Sequence, residues 1–357
     1  MPVTLPQFLA IRGIPMTKTG DNPDSQAAYA PQAPSGRVYG FLLVPGFALM
    51  SYASAIEPLR AANVIAGQPF YAWRHLSCDA SKVARASNGI TITCDADLRD
   101  ANAVHALGLD TLIVCAGGNP VTFDDAGILR ALRRAARAGI RIGGVSGGPF
   151  LLARAGLLDG YRSTIHWEHQ PALSEHFPEL AMTGSLYEID RERLTCAGGI
   201  AALDMMAAEI DAHHGPGLAG AVSEWFIQDG ARPGSGPQRS HARADAPAPS
   251  RPVATALALM SAHLENPLSI ATLARRAGIG QRQLERRFIK EIGTGVMAHY
   301  RALRLERARA LLRQTRMQVV EVALACGFSS ASQFSRACKA HFGHAPVALR
   351  KFRYETG

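Results

Sequence analysis

Two stretches decide the fold of the C-terminal third of the chain: residues 273–279, LARRAGI, and residues 322–328, VALACGF. Gly278 and Gly327 lie 49 positions apart, while Gly293 and Gly343, which follow them, lie 50 apart. This region therefore contains an internal repeat, with one additional residue in the second copy.

Each copy predicts a helix, a turn that contains glycine and an apolar residue, and a second helix. This is the pattern of a helix-turn-helix unit, because glycine adopts the backbone conformation of the turn and the apolar residue packs between the two helices. Between the copies, residues 296–314 carry an apolar stripe at helical spacing. A helix of about 18 residues spans about 27 Å, which would hold two recognition helices in successive segments of a major groove.

The distribution of charge agrees with a nucleic-acid partner for this region. The 357-residue chain has a net charge of +9. Residues 253–357 hold 17 Lys and Arg against 6 Asp and Glu, a net of +11, whereas residues 1–252 have a net of −2. A basic domain joined to a nearly neutral one is typical of proteins in which one module binds DNA.

The second copy has a specific spelling over residues 327–346, GFSSASQFSRACKAHFGHAP. With the rest of residues 253–357, it resembles the DNA-binding domain of the AraC/XylS family of transcription regulators. The chain departs from the family pattern at Gly280, where a serine usually caps the first recognition helix, and at Val296, where the linker helix usually begins with proline. A glycine cap costs only a few tenths of a kcal/mol.

The resemblance implies which side chains face DNA. In the first unit they are Arg282, Gln283 and Arg286. In the second unit they are Ser332, Gln333, Ser335, Arg336 and Lys339. Arginine can bind guanine through two hydrogen bonds and glutamine can bind adenine, but each arginine could equally contact phosphate or line a solvated helix face.

The N-terminal part predicts a different fold class. Residues 38–44, VYGFLLV, form a continuous apolar run typical of a buried parallel strand. Further strand patterns alternate with helical ones up to about residue 229, which predicts an α/β, flavodoxin-like sandwich with a mostly parallel sheet. We interpret residues 1–36 as a disordered tail, residues 37–229 as this domain and residues 230–252, rich in Gly, Pro, Ser and Arg, as a linker to the helical domain at 253–357.

Residues 141–150, RIGGVSGGPF, predict a buried strand that enters a glycine-rich turn and then a helix. This is the layout of a nucleophile elbow, in which Ser146 would be presented at the end of the strand. Gly117 and Gly118 close a neighbouring strand, and ligands of open α/β sheets bind at such strand ends.

Several stretches of this domain resemble the class I glutamine amidotransferase-like (PfpI-like) fold, in the form that is fused to AraC-type domains. They are residues 57–63 (EPLRAAN), 87–89 (SNG), 150–160 (FLLARAGLLDG) and 164–167 (TIHW). In the catalytic relatives the elbow residue is a cysteine activated by histidine. Here Ser146 is followed by Gly147, and a serine hydroxyl is a poor nucleophile without a base.

We therefore expect a non-catalytic pocket that binds a small-molecule effector. Backbone N–H groups at Gly118 and Gly147 favour a carboxylate, and Glu57 could meet an ammonium group, so the effector class is a zwitterionic amine or amino acid. Glu57 could instead be a structural carboxylate. The candidate ligand-binding residues are Glu57, Gly117, Gly118, Ser146, Gly147 and His166.

Three interpretations follow. The first is a sequence-specific transcription regulator, an activator by resemblance, that binds double-stranded DNA as a homodimer and acts on RNA polymerase. The second is a DNA-binding protein that retains amidase or deglycase-like hydrolase activity at Ser146, with His166 as the base. The third is a DNA-binding protein whose first domain only dimerises.

The sequence also predicts several absences. The six cysteines lack C-x-x-C spacing, which argues against a zinc site and against a disulfide framework. We expect no metal and no cofactor. Neither an apolar leader nor a run of about 18 apolar residues is present, so we expect a cytoplasmic protein without a membrane span.

Overall fold

The computed structural model describes residues 36–238 and 249–351. The predicted N-terminal tail and the middle of the predicted linker lie outside the described residues, apart from Gly36.

The N-terminal domain is built on a seven-stranded sheet in the order β5-β2-β1-β6-β7-β9-β8. Its strands are β1 (Arg37–Leu43), β2 (Tyr71–Ser77), β5 (Ala96–Asp97), β6 (Thr111–Ala116), β7 (Arg141–Ser146), β8 (Tyr187–Asp190) and β9 (Arg193–Cys196), with β3 (Val83–Arg85) and β4 (Thr91–Thr93) forming a separate antiparallel pair. All neighbouring strands of the large sheet are parallel except β8 and β9, which form an antiparallel hairpin. The mostly parallel sheet predicted from the sequence is confirmed.

Helices cover both faces of this sheet. They are α1 (Leu49–Ala66), α2 (Ala101–Ala106), α3 (Ala126–Arg137), α4 (Gly148–Arg154), α5 (Gln170–His176), α6 (Ala201–His214) and α7 (Pro216–Trp225). Along β1, Val38 and Leu42 face one core, whereas Tyr39, Phe41 and Leu43 face the other. Since successive side chains of a strand point to opposite faces, the continuous apolar run of β1 fits a sheet that is buried on both sides.

The sequence patterns did not predict α2 or α5, whereas the helix predicted after the glycine-rich turn is present as α4. Helix α4 ends at Arg154, and Gly156 follows with φ of 69°. A left-handed glycine just beyond a helix stops it.

The predicted linker is not free over its first residues. Arg232 forms an ion pair with the fully buried carboxylate of Asp204 at 2.6 Å. Gln238 Nε2 donates to the carbonyl oxygens of Ile165 and Ser185 at 2.8 and 2.9 Å. Arg232 is needed there because a buried carboxylate requires a paired cation. Through these contacts, residues 230–238 pack on the α/β domain.

The C-terminal domain is helical in its described part, up to Lys351. It contains α8 (Arg251–Ala262), α9 (Ile270–Arg276), α10 (Gln281–Ile292), α11 (Val296–Gln314), α12 (Val319–Ala325), α13 (Ala331–Phe342) and α14 (Pro346–Lys351). The pairs α9–α10 and α12–α13 have matching lengths and are offset by 49 and 50 residues. Gly278 and Gly327 have φ of 74° and 70° in the two turns, so the repeat corresponds to two helix-turn-helix units.

Candidate functional site

The long helix α11 belongs to the cores of both helix-turn-helix units. Val296 and Tyr300 pack with the first unit, whereas Leu305 and Leu312 pack with the second. Helix α11 therefore connects the two units as one rigid element.

Arg304 fixes α11 to the turn of the second unit. Its Nε donates to the carbonyl of Cys326 at 2.7 Å and its guanidinium lies 4.2 Å from the ring centroid of Phe328. Burial lowers the pKa of Arg304, yet this cation is satisfied by backbone carbonyls and a ring face. It serves the fold of the domain rather than contact with DNA.

The second helices of the two units, α10 and α13, present nearly the same pattern of exposure. Leu284 and Phe288 are buried in α10, as Phe334 and Cys338 are in α13. The predicted DNA-facing side chains lie on the other sides of these helices, exposed in every case except the half-buried Ser335: Arg282, Gln283, Arg286, Ser332, Gln333, Ser335, Arg336 and Lys339.

None of the predicted DNA-facing cations (Arg282, Arg286, Arg336 and Lys339) forms an ion pair within residues 36–238 and 249–351. Gln333 differs from the others, because its Oε1 accepts hydrogen bonds from the Ser329 hydroxyl and backbone N–H at 2.9 and 3.3 Å. Two exposed cationic helices joined by a rigid spacer are suited to a negatively charged, periodic polymer.

The second site begins at Ser146, the last residue of β7. Ser146 is 6% exposed and has φ of 58°, a conformation that non-glycine residues rarely adopt. The turn is tight because a β-carbon at Gly148 would lie 2.1 Å from the carbonyl oxygen of Val114. The elbow predicted from residues 141–150 is present.

Ser146 opens into a cavity of about 970 Å³. The cavity is formed by the loops that follow β1, β6 and β7, together with the β3–β4 turn and the segment before α5. Its lining includes Gly46, Arg85, Asn88, Gly117, Gly118, Asn119, Ser146, His166, Glu168 and His169. Strand order reverses between β1 and β6, and open α/β sheets bind ligands at the carboxyl ends of strands at such a point.

The structure brings four of the six predicted ligand residues together in this cavity: Gly117, Gly118, Ser146 and His166. Gly147 is buried behind the cavity, and its backbone N–H donates to the carbonyl of Ala116 at 3.1 Å. Glu57 lies on α1 outside the lining, and its carboxylate pairs with Arg60 at 2.6 Å. The Gly147 N–H, predicted to bind a carboxylate, and the Glu57 carboxylate, predicted to bind an ammonium group, therefore have partners within the protein.

His166, the candidate base for Ser146, forms hydrogen bonds with the backbone. Nδ1 of His166 accepts a hydrogen bond from the backbone N–H of Glu168 at 3.4 Å, while the His166 backbone N–H donates to the Ser146 carbonyl at 3.3 Å. In the part of the chain that the structure describes, no side chain forms a hydrogen bond with the Ser146 hydroxyl.

His169 is the most deeply buried titratable residue of the lining, at 3% exposed. Burial lowers its pKa to about 4, and the nearby His166 acts in the same direction, while the Gln314 side chain opposes them. His169 is therefore neutral at pH 7, so the imidazole offers the cavity hydrogen-bonding atoms without positive charge.

Sequence reasoning missed five lining residues that can bind a polar ligand: Arg85, Asn88, Asn119, Glu168 and His169. Asn88 lies in the Ser-Asn-Gly stretch that carried the resemblance, so this stretch was the available signal. Arg85 is brought to the cavity by the β3–β4 hairpin, whose pairing could not be inferred from a three-residue strand.

No helix within residues 36–238 and 249–351 is sufficiently long and apolar to cross a membrane.

Two family models match the chain. Residues 41–211 match the DJ-1/PfpI family, and residues 273–351 match a helix-turn-helix domain. The cavity thus lies in a DJ-1/PfpI domain, and the exposed cationic helices lie in an AraC-type DNA-binding domain, which is the domain combination of a DNA-binding transcription regulator.

The matches with curated relatives extend across both domains of the chain. The HTH-type transcriptional regulator GlxA of Rhizobium meliloti (strain 1021) is 44% identical over 315 residues, which cover 87% of this chain and 95% of that protein. The HTH-type transcriptional regulators GbdR and CdhR of Pseudomonas aeruginosa are 42% and 41% identical, and the matches cover 89% and 86% of this chain and 86% and 90% of theirs. The crystal structure of an AraC family transcriptional regulator from Pseudomonas putida is 28% identical over 53% of this chain and 99% of that one, with a TM-score of 0.46.

The chain belongs to the family of AraC-type transcriptional regulators with an N-terminal DJ-1/PfpI domain. It is a DNA-binding regulator, and its relatives carry the names of regulators rather than of enzymes. The DJ-1/PfpI fold by itself is compatible with enzymes as well.

Proposed function

We propose that this protein is a transcription activator that responds to a small zwitterion bound in the cavity beside Ser146. The observation that carries the proposal is the lining itself. Arg85 and Glu168 bring opposite charges to one cavity of about 970 Å³, which lies at the strand ends where this class of sheet binds ligands.

Arg85 is the residue we assign to the carboxylate of the effector. It is exposed, and within the described residues it forms no ion pair. A guanidinium binds a carboxylate through two parallel hydrogen bonds. The carboxylate of Glu168 supplies negative charge for an ammonium group or a quaternary amine, and the neutral imidazole of His169 supplies a hydrogen-bond acceptor for an ammonium group. The proposed effector would also lie against four other lining residues: Gly117, Gly118, Ser146 and His166.

A ligand screen on the full chain tests this assignment. Glycine betaine and choline share a trimethylammonium group, and only the first has a carboxylate. We expect glycine betaine or one of the twenty amino acids to raise the melting temperature, while choline does not. At a concentration of 100 times Kd, the bound compound should add about 2.7 kcal/mol to the free energy of unfolding. Arg85→Ala removes the shift, and Arg137→Ala, on the exposed face of α3, retains it.

The screen also separates the proposal from a domain that only dimerises. If neither glycine betaine nor any amino acid changes the melting temperature, the effector assignment is wrong.

The second candidate, a hydrolase at Ser146, is favoured only by the strained conformation of this residue in the cavity. We propose instead that the site is non-catalytic, because no side chain among the described residues forms a hydrogen bond with its hydroxyl and Nδ1 of His166 accepts from the backbone N–H of Glu168. Ser146→Ala should leave the stabilisation by the effector in place. Consumption of the bound compound by the wild type, lost in Ser146→Ala, would establish the enzyme.

The remaining parts of the proposal concern assembly. Regulators that read two-fold symmetric operators are usually dimers, and we propose a homodimer that contacts RNA polymerase in the cytoplasm. Analytical ultracentrifugation tests the dimer. Transcription in vitro, from a promoter fragment that the protein binds, tests activation: the transcript should increase with protein and effector, and a decrease would indicate a repressor.

A further inference from the structure

The C-terminal end of α11 lies against the wall of the cavity. Gln314 Nε2 donates to the backbone carbonyl of Glu168 at 2.6 Å, and Asn119 Nδ2 donates to the backbone carbonyl of Arg313 at 3.4 Å. Glu168 and Asn119 both line the cavity, in separate loops. The last two residues of the helix that joins the DNA-binding units are thus bonded to two residues of the proposed effector site.

This contact is buried. Gln314 and the following Thr315 are each 2% exposed. One face of α11 also contacts α5, where Arg307 and Glu175 form an ion pair at 3.8 Å. Since α5 begins directly after His169, the segment that lines the cavity continues into the helix on which α11 docks.

His169 stands between the cavity and α11. It lines the cavity and occupies the residue before α5, and the Gln314 side chain opposes the lowering of its pKa by burial. His169 Nδ1 and Gln314 Oε1 are both buried without a hydrogen-bond partner in the described part of the chain. Buried polar atoms without partners are costly, so a small shift that satisfies either atom would be favourable. A shift of α11 relative to the cavity wall would change the surroundings of both atoms.

We propose that effector occupancy and the docking of α11 are coupled through His169, Glu168 and Gln314. An effector that bonds to the lining displaces the segment 166–169, and the Gln314 contact transmits this displacement to α11. Because α11 lies in the cores of both helix-turn-helix units, its movement changes the position of α10 and α13 together. This inference rests on the proposed function, since it takes the cavity to be the effector site.

The first test needs no effector. Glu175→Ala removes the Arg307 ion pair from the α/β side and leaves the DNA-binding domain intact, and Gln314→Ala removes the amide contact. The control is Glu179→Ala, an exposed carboxylate close to Glu175 in sequence. DNA affinity is measured with duplexes selected by the wild-type full chain from a random library.

Coupling predicts that Glu175→Ala and Gln314→Ala each change DNA affinity by roughly fivefold, the lower end of typical coupling, while Glu179→Ala does not. If Glu175→Ala and Gln314→Ala both bind DNA with wild-type affinity, the docking contact has no influence on DNA binding and the inference is overturned.

The second test uses glycine betaine, or the amino acid that stabilises the wild type most. In Glu175→Ala, which lies outside the cavity, the thermal shift should persist while the effect of the compound on DNA affinity falls at least threefold. An undiminished effect would overturn the coupling although the proposed function stands. If no compound stabilises the wild type, the effector assignment fails, and the first test still decides whether docking controls DNA affinity.

Discussion

The backbone of Gly327 lies so close to Pro267 that a β-carbon at Gly327 would come within 2.7 Å of the proline ring. It would also lie 2.6 Å from the carbonyl oxygen of Glu265. The turn of the second helix-turn-helix unit therefore packs directly against the segment that precedes α9, and the two units are held by this approach as well as by α11.

The first prediction compares the two turn glycines. Gly278 and Gly327 have almost the same φ, but a β-carbon at Gly278 would meet nothing within 4 Å. Gly278→Ala should cost about 1–2 kcal/mol from left-handed strain alone. Gly327→Ala should cost clearly more, because a clash with backbone atoms is added. Urea unfolding followed by circular dichroism measures both, and equal losses would contradict the close approach.

The second prediction concerns DNA reading by Arg336, an exposed residue of α13. Arg336→Ala should weaken binding to selected duplexes by about 1–3 kcal/mol if the guanidinium reads a base. Binding to random duplexes should change little. Titrations at one fixed salt concentration compare the two, with Arg137→Ala as the charge control. An equal loss on both duplexes would identify a phosphate contact instead.

The third prediction concerns the pH dependence of stability. Burial lowers the pKa of His169 in the folded state to about 4, whereas the pKa of an unfolded histidine is about 6.5. Between these values the unfolded chain binds more protons, so stability falls as pH decreases from 6.5 towards 4. The contribution lost between pH 7 and pH 5 is about 2 kcal/mol.

Tryptophan fluorescence can follow this loss, because Trp73, Trp167 and Trp225 all lie in the α/β domain and the chain has no other tryptophan. In His169→Gln the decrease in stability on acidification should be smaller by about that amount. The variant His105→Gln, at an exposed site on α2, should match the wild type. Parallel curves for His169→Gln and the wild type would show that His169 is not the group responsible.

The fourth prediction concerns the ion pair between Arg141, at the start of β7, and Glu209 of α6. The two groups lie 2.5 Å apart, with Glu209 only 3% exposed, and Tyr39 also donates to this carboxylate at 3.1 Å. Glu209→Ala leaves a partly buried guanidinium and a buried hydroxyl without their acceptor, and should cost about 3 kcal/mol. Thermal unfolding of the full chain measures this. Asp211→Ala, exposed on the same helix, should have little effect, and a similar loss there would contradict the assignment.

Much of the architecture could be predicted from local patterns. The bounds of α11, and the position of β1 to within one residue, follow from apolar patterns, since these elements bury regular faces. The short helices α2 and α5 were missed because six or seven residues carry too little periodicity. The Gly and Pro content from residue 230 onward predicted a linker and gave no sign of the contacts that Arg232 and Gln238 make with the α/β domain.

The sequence by itself determined the two helix-turn-helix units, the parallel sheet and the elbow at Ser146, because each depends on residues that are close along the chain. Only the tertiary structure decided which side chains meet in the cavity. Glu57 forms an ion pair with Arg60 outside the cavity, whereas Arg85 and Glu168, more than 80 residues apart in sequence, both line it. The contact of Gln314 with Glu168 is likewise a product of domain packing, which leaves no trace in local periodicity.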